Sequence, residues 1–112
     1  MTPSRAEVWL AEMDPARGHE QAGTRPCVVM SADIFNRGQA HLAVLVPMTT
    51  RERRVRFHVP VNPPEGGLRA RSFVMCEALR SMSNERLVER WGTLTEATVA
   101  RIEQMLRDLM EL

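Results

Sequence analysis

The sequence predicts an α+β fold: a small, barrel-like sheet of short strands closed by one C-terminal helix. Three observations carry that reading. Short apolar or alternating runs recur as far as Leu94, broken by Pro, Gly and Asn, the pattern of strands joined by tight turns. After Thr95 the period changes, and Val99, Ile102, Leu106 and Leu109 follow at helical spacing. The chain has 112 residues, enough for one core and too few for two. Residues 1–112 are therefore read as a single domain, with no linker and no internal repeat.

The first strand is expected over residues 6–13, with Val8, Leu10 and Met13 on one side and Trp9 on the other. Asp14-Pro15 ends it, and a polar loop over residues 17–24 follows. Arg25-Pro26 then leads into the apolar run Cys27-Val28-Val29-Met30, a buried second strand over residues 26–31. Proline is tolerated where a strand begins because it need not donate to the ladder there. Residues 32–38 read as a turn or one helical turn. Leu42 to Val46 forms a third buried strand, stopped by Pro47. Met48-Thr49-Thr50 opens a second polar loop, Arg51-Glu52-Arg53-Arg54.

The fourth strand alternates: Val55, Phe57, Val59 and Val61 face one way, Arg56 and His58 the other. Residues 62–67 form a turn, rich in Pro and Gly. Residues 68–76 make a fifth strand, continued past a bend by residues 77–82. Residues 84–87 read as a short helical turn and residues 88–94 as the last strand. Thr95 suits a helix N-cap, since its hydroxyl can accept from a free N–H of the first turn. Glu96 complements the positive helix start, and Glu103 to Arg107 is an i,i+4 pair. The helix is expected to end near Met110.

Net charge at pH 7 is only +1, but it is unevenly spread. Residues 17–80 hold ten Arg against five acids, whereas residues 81–112 hold four against six. A basic middle between acidic ends suits a polyanion-binding face. All fifteen basic residues are Arg, the side chain that grips phosphate through two parallel bonds and stacks on bases. A bias in base composition would also replace Lys by Arg throughout, but it would not cluster the charge. No apolar run approaches the ~20 residues of a membrane helix. The N-terminus lacks the apolar core of a signal peptide, so a cytoplasmic location with no membrane contact is expected. Cys27 and Cys76 lie in apolar runs without metal-site spacing. Buried, reduced thiols and no metal or other cofactor are expected.

Several segments in order resemble the MazF/PemK-type toxin endoribonucleases of type II toxin–antitoxin systems. They are Arg5-Ala6-Glu7-Val8-Trp9, Asp14-Pro15, Gly18-His19-Glu20-Gln21-Ala22-Gly23, Arg25-Pro26-Cys27-Val28-Val29-Met30-Ser31 and Val46-Pro47-Met48-Thr49. The resemblance spans nearly the whole chain. It implies an SH3-like (PemK/CcdB-like) antiparallel β-barrel with a C-terminal α-helix, working as a homodimer. It also implies metal-independent cleavage of single-stranded RNA at a short sequence, and a cognate antitoxin protein that blocks the RNA site. By motif position the catalytic Arg falls on Arg25 and the catalytic Thr on Thr49. Glu20 and Gln21 fall in the loop that gates the RNA groove. Two positions depart from the family pattern. Ala78 stands where an amide usually follows the acid now at Glu77, so the cleavage sequence is expected to differ. Ala6 stands where the family has Gly, a change expected to affect packing rather than chemistry.

RNA is cut without a metal when its own 2′-OH attacks the adjacent phosphorus. Arg25 suits stabilisation of charge on the phosphoryl oxygens, and the Thr49 hydroxyl is a second donor. By residue type alone Arg25 also fits a surface ion pair, and Thr49 a hydroxyl satisfying its turn. Glu20 is the third catalytic candidate, as base; His19 is another, with an ordinary pKa near the working pH. His19, Gln21, Arg51, Arg53, Arg54, Glu77 and Arg80 are the expected RNA contacts, while His41 and His58 read as ordinary surface positions. Aromatic residues make up 4% of the chain, with no Tyr. Base selection should therefore rest on hydrogen bonds. Trp9, Phe35, Phe57, Phe73 and Trp91 read as core or dimer interface. Two alternatives share the barrel: a non-enzymatic toxin of the gyrase-binding CcdB kind, and an RNA-binding member without activity.

Overall fold

The computed structural model describes residues 2–13 and 23–112. The polar loop with His19, Glu20 and Gln21 lies outside the described residues. The strands are β1 (Glu7–Glu12), β2 (Thr24–Val29), β3 (Leu42–Thr49), β4 (His58–Val61), β5 (Ser72–Met75), β6 (Arg80–Ser83) and β7 (Leu87–Thr93). The helices are α1 (Asp33–Asn36) and α2 (Glu96–Met110), with 3-10 turns at Glu65–Gly67, Cys76–Ala78 and Asn84–Arg86. All pairings are antiparallel, in the order β4-β5-β3-β2-β1-β7, with β6 also paired to β3. The α+β class, the helical turn after β2 and the C-terminal helix stand as expected. Among the described residues no helix is long and apolar enough to cross a membrane.

β3 is the axis of the sheet, and Pro47 does not stop it. The strand runs on to Thr49, with Pro47 paired to Cys27 of β2. The Val44 carbonyl accepts from Met30 on the β2 side, so by alternation residue 47 turns its main chain to the other edge. That edge is changing partner there, from β6 at Leu45 to β5 at Met48. The missing N–H of proline thus falls where no ladder bond is asked of it. Going from Met48 to Leu45, β3 advances three residues while its partner advances six, from Val74 to Arg80. The surplus is taken up by the Cys76–Ala78 turn, which is the expected bend.

Two strands are shorter than the alternation suggested. β4 begins at His58, and Val55 is exposed rather than inward, because β5 has no residue paired beyond Met75 for it to meet. β5 is confined to Ser72–Met75. The first strand also sorts its faces differently. Val8 joins one core, with Val28, Val46, Val59, Val74 and Ile102. Trp9, Ala11 and Met13 join another, with Cys27, Val29, Leu45 and Met82. Register shifts against β7 within β1 allow the strand to serve both.

The sheet curls until the β4–β5 connection meets β7. Gly67 sits against Trp91 so closely that a Cβ there would lie 2.2 Å from the Trp91 carbonyl oxygen. α2 covers the first core, with Ile102 fully buried and Val99, Met105 and Leu106 packed beside it. Thr95 caps α2, its hydroxyl accepting from the Thr98 N–H. The Glu65 carboxylate accepts from the Thr95 N–H at 2.9 Å. Burial pushes the Glu65 pKa up, but hydrogen bonds from Thr98 and Thr95 outweigh it and hold the carboxyl below its ordinary value. Glu103 pairs with Arg5, not with Arg107. Arg5 is already anchored on the Met30 carbonyl, so it is a better-ordered partner than a free side chain one turn away.

Ala6 has φ 76°, a left-handed backbone where glycine has no steric cost. The departure at this position therefore loads the backbone rather than the packing.

Candidate functional site

The sites of interest converge at one end of the β2–β3–β5 ladder. A cleft of about 600 Å³ opens there, lined by Thr24, Arg25 and Pro26 of β2, Met48 and Thr49 of β3, Ser72 of β5, and Arg51 and Arg53 beyond β3. The ladder explains the meeting. β2 and β3 pair Cys27 with Pro47 and Val28 with Val46. The same register, continued past Cys27, sets Arg25 opposite Thr49. The two expected catalytic side chains thus come from adjacent strands.

Arg25 is half-buried. Its guanidinium donates to the Met48 carbonyl at 3.4 Å, and its Nε is buried without a partner among the described residues. A buried donor left open is costly unless something accepts from it, and an anion entering the cleft would do so. Thr49 is 7% exposed, a strand position and not the loop position expected for it. Its hydroxyl accepts from the Arg51 N–H at 3.1 Å, which fixes the oxygen and leaves its own proton free to donate.

Arg80 is half-buried in β6, in register with Leu45. Burial pushes the Cys27 thiol up to about 12, while the positive charges of Arg25 and Arg80 pull it the other way. Both guanidiniums therefore lie within electrostatic reach of Cys27. Burial, and then the Glu77 carboxylate, push Cys76 up to about 11. Neither thiol offers a thiolate at ordinary pH.

The other expected contacts are only partly gathered in the cleft. Arg51 and Arg53 line it; Arg54 is exposed but is not part of the lining. Glu77 stands on the Cys76–Ala78 turn and pairs with His58 Nε2 at 2.8 Å. His58 itself is a correction: its side chain is only 4% exposed, because β4 and β5 fold it against the turn that carries Glu77. Ser72 was not legible as a site residue. Nothing in its neighbours marks it, and only the pairing of Thr49 with Phe73 brings β5 to the cleft. No carboxylate or imidazole lines the cleft among the described residues.

A profile of the family described as PemK-like, MazF-like toxin of type II toxin-antitoxin system matches residues 4–110. The chain is 37% identical over 110 residues to the endoribonuclease PemK of Escherichia coli, covering 91% of this chain and 80% of that one. Its fold superposes on the crystal structure of MazF from Deinococcus radiodurans with a TM-score of 0.86, at 25% identity, covering 100% of this chain and 99% of that one. It superposes on a crystal structure of MazE–MazF from the same organism with a TM-score of 0.82, also at 25% identity, covering 100% and 98%.

Proposed function

The chain belongs to the PemK-like, MazF-like toxins of type II toxin–antitoxin systems, and from that membership we propose that it is a cytoplasmic, sequence-specific endoribonuclease. It cuts single-stranded RNA without a metal, works as a homodimer, and is silenced by a cognate antitoxin that covers the cleft. The observation that carries this reading is the half-buried Arg25, its Nε without a partner among the described residues, in the same cleft as Thr49. The antitoxin is supported by the D. radiodurans relative, whose structure includes MazE.

In the reaction the 2′-oxygen forms a bond to the adjacent phosphorus and the bond from phosphorus to the 5′-oxygen breaks. The 5′-oxygen takes a proton from water as it leaves, so the products are a 2′,3′-cyclic phosphate and a 5′-hydroxyl. Arg25 and the Thr49 hydroxyl donate to the phosphoryl oxygens, where negative charge grows. Donors of this kind contribute about 3–4 kcal/mol each to transition-state stability. Arginine keeps its proton at ordinary pH, so Arg25 is not the base. Glu20 takes the 2′-OH proton, with His19 the alternative; both belong to the chain segment between β1 and β2. Arg51, Arg53, Arg54 and Arg80 hold the RNA backbone, which gives affinity and orientation but little sequence information. Gln21 and Glu77 contact bases, and Ala78, lacking an amide, shifts the sequence preferred.

The test is a long single-stranded RNA incubated in EDTA with the wild type, Arg25→Ala and Thr49→Val. The wild type should leave fragments with cyclic-phosphate ends, and each variant should be slower by on the order of 10²–10³-fold. Failure of the wild type to cut several unrelated RNAs overturns the reading.

A further inference from the structure

We propose that Arg69 and Arg71, just before β5, form a second basic tract that grips the same RNA strand beyond the nucleotides being cut. This rests on the cleft being an RNA site. The argument begins with register. β3 and β5 pair Thr49 with Phe73, so Arg51, in the cleft lining, and Arg71, each two residues beyond that pair, leave the ladder at the same end. Arg71 also directly precedes Ser72, which lines the cleft. The tract is therefore continuous with the site.

Both guanidiniums are held by aromatic rings. Arg71 lies over Phe73 at 5.2 Å and Arg69 over Trp91 at 5.1 Å. Trp91 belongs to β7, brought alongside by the close approach of Gly67, so the tract leads from the cleft across the β4–β5 connection. Arg69 and Arg71 are exposed, and among the described residues neither has a carboxylate partner. Arg5 and Arg90, by contrast, are paired with Glu103 and Glu7. The nearby acid Glu65 is occupied by Thr95. Residues 51–71 hold six Arg against two acids, so the surface is strongly positive.

Stacking on a ring fixes the plane of a guanidinium and leaves its N–H edge and second face open. That is a prepared fork for phosphate, and a platform for an unpaired base. Arginine stems also simply cover apolar surface, which predicts no effect on RNA. The two accounts separate by experiment.

Binding is read by fluorescence anisotropy with labelled 2′-O-methyl RNA, which lacks the attacking hydroxyl. Two lengths of single strand are used, roughly 5 and roughly 20 nucleotides, near the lower end of the span of a single-strand groove and above its upper end. The Arg69→Gln/Arg71→Gln variant should bind the long strand on the order of 10-fold more weakly at about 0.15 M salt, and flatten its salt slope by about 1.4. Its binding of the short strand should match the wild type. Arg69→Lys/Arg71→Lys keeps the charge and should keep most of the slope. Arg37→Gln/Arg107→Gln removes the same charge elsewhere and should leave both strands bound as before. Thermal melting checks folding; if the Gln pair unfolds, the single Gln variants decide, each flattening the slope by about half as much. Long-strand binding indistinguishable from the Arg37/Arg107 control overturns the proposal. Because no cleavage is measured, a nuclease that cuts RNA yet shows no tract, or a tract on a protein that does not cut, are separate outcomes.

Discussion

Ala6 shows how one residue can be read correctly as unusual and wrongly as to why. The motif marks it as a substitution for Gly, and its φ of 76° gives the physical meaning. Its N–H donates to Val29 and its carbonyl accepts from Leu94, so the neighbouring strands hold the strained backbone in place. A left-handed alanine costs about 1–2 kcal/mol, and glycine would give back about 0.5–1 through its freer unfolded chain. Ala6→Gly should therefore stabilise the protein by about 1 kcal/mol, read as a raised urea midpoint at unchanged slope. A destabilised variant would mean that the Ala6 methyl contributes more by packing than the backbone loses. Residue identity was informative in the same way at Arg25 and Thr49, where motif and chemistry agree. It was silent at Ser72 and misleading at His58, since burial there depends on which strands meet, a fact no local window contains.

At the level of elements, the apolar runs, the Thr95 cap and the helical period of α2 were all visible in the sequence. The connections were not. Pro47 reads as a strand end only if both edges of β3 need its N–H, and partner exchange from β6 to β5 removes that need. The same exchange moves Thr49 from loop to buried strand, and so makes the site rigid. The Glu65–Gly67 turn has a comparable long-range role. Its glycines read as an ordinary hairpin turn, yet Gly67 has φ +71° and meets the backbone of β7. A Cβ at 2.2 Å from a carbonyl oxygen cannot be relieved by turning a side chain. Gly67→Ala should cost about 3 kcal/mol or more, from the clash and the positive φ together. Chemical denaturation measures it, and a loss below about 0.5 kcal/mol would show that the close approach of the turn to β7 does not persist in solution.

Across the whole molecule, stability and chemistry are divided between the two faces and one end of the sheet. α2 packs on the core that holds Val8, Val28, Val46, Val59 and Val74. The cleft is built from the ends of β2, β3 and β5 and the arginines beyond them. Among the described residues Met48 is the one in both, with its side chain in that core and its carbonyl under Arg25. Ile102 is fully buried at the centre of the α2 contact. Ile102→Ala removes buried carbon and leaves a cavity, a change worth about 2–5 kcal/mol. In a chain of this size that should lower Tm by roughly 10–25 °C, at about 5 °C per kcal/mol. Arg25 and Thr49 are aligned by the β2–β3 ladder, which the helix does not enter, so the variant at 25 °C should cut RNA at nearly the wild-type rate per folded molecule. Cleavage rate and folded fraction, measured on the same sample, test both halves of the prediction. A fall in rate of more than tenfold in fully folded protein would show that the α2 core sets the cleft through Met48, and that the division does not hold.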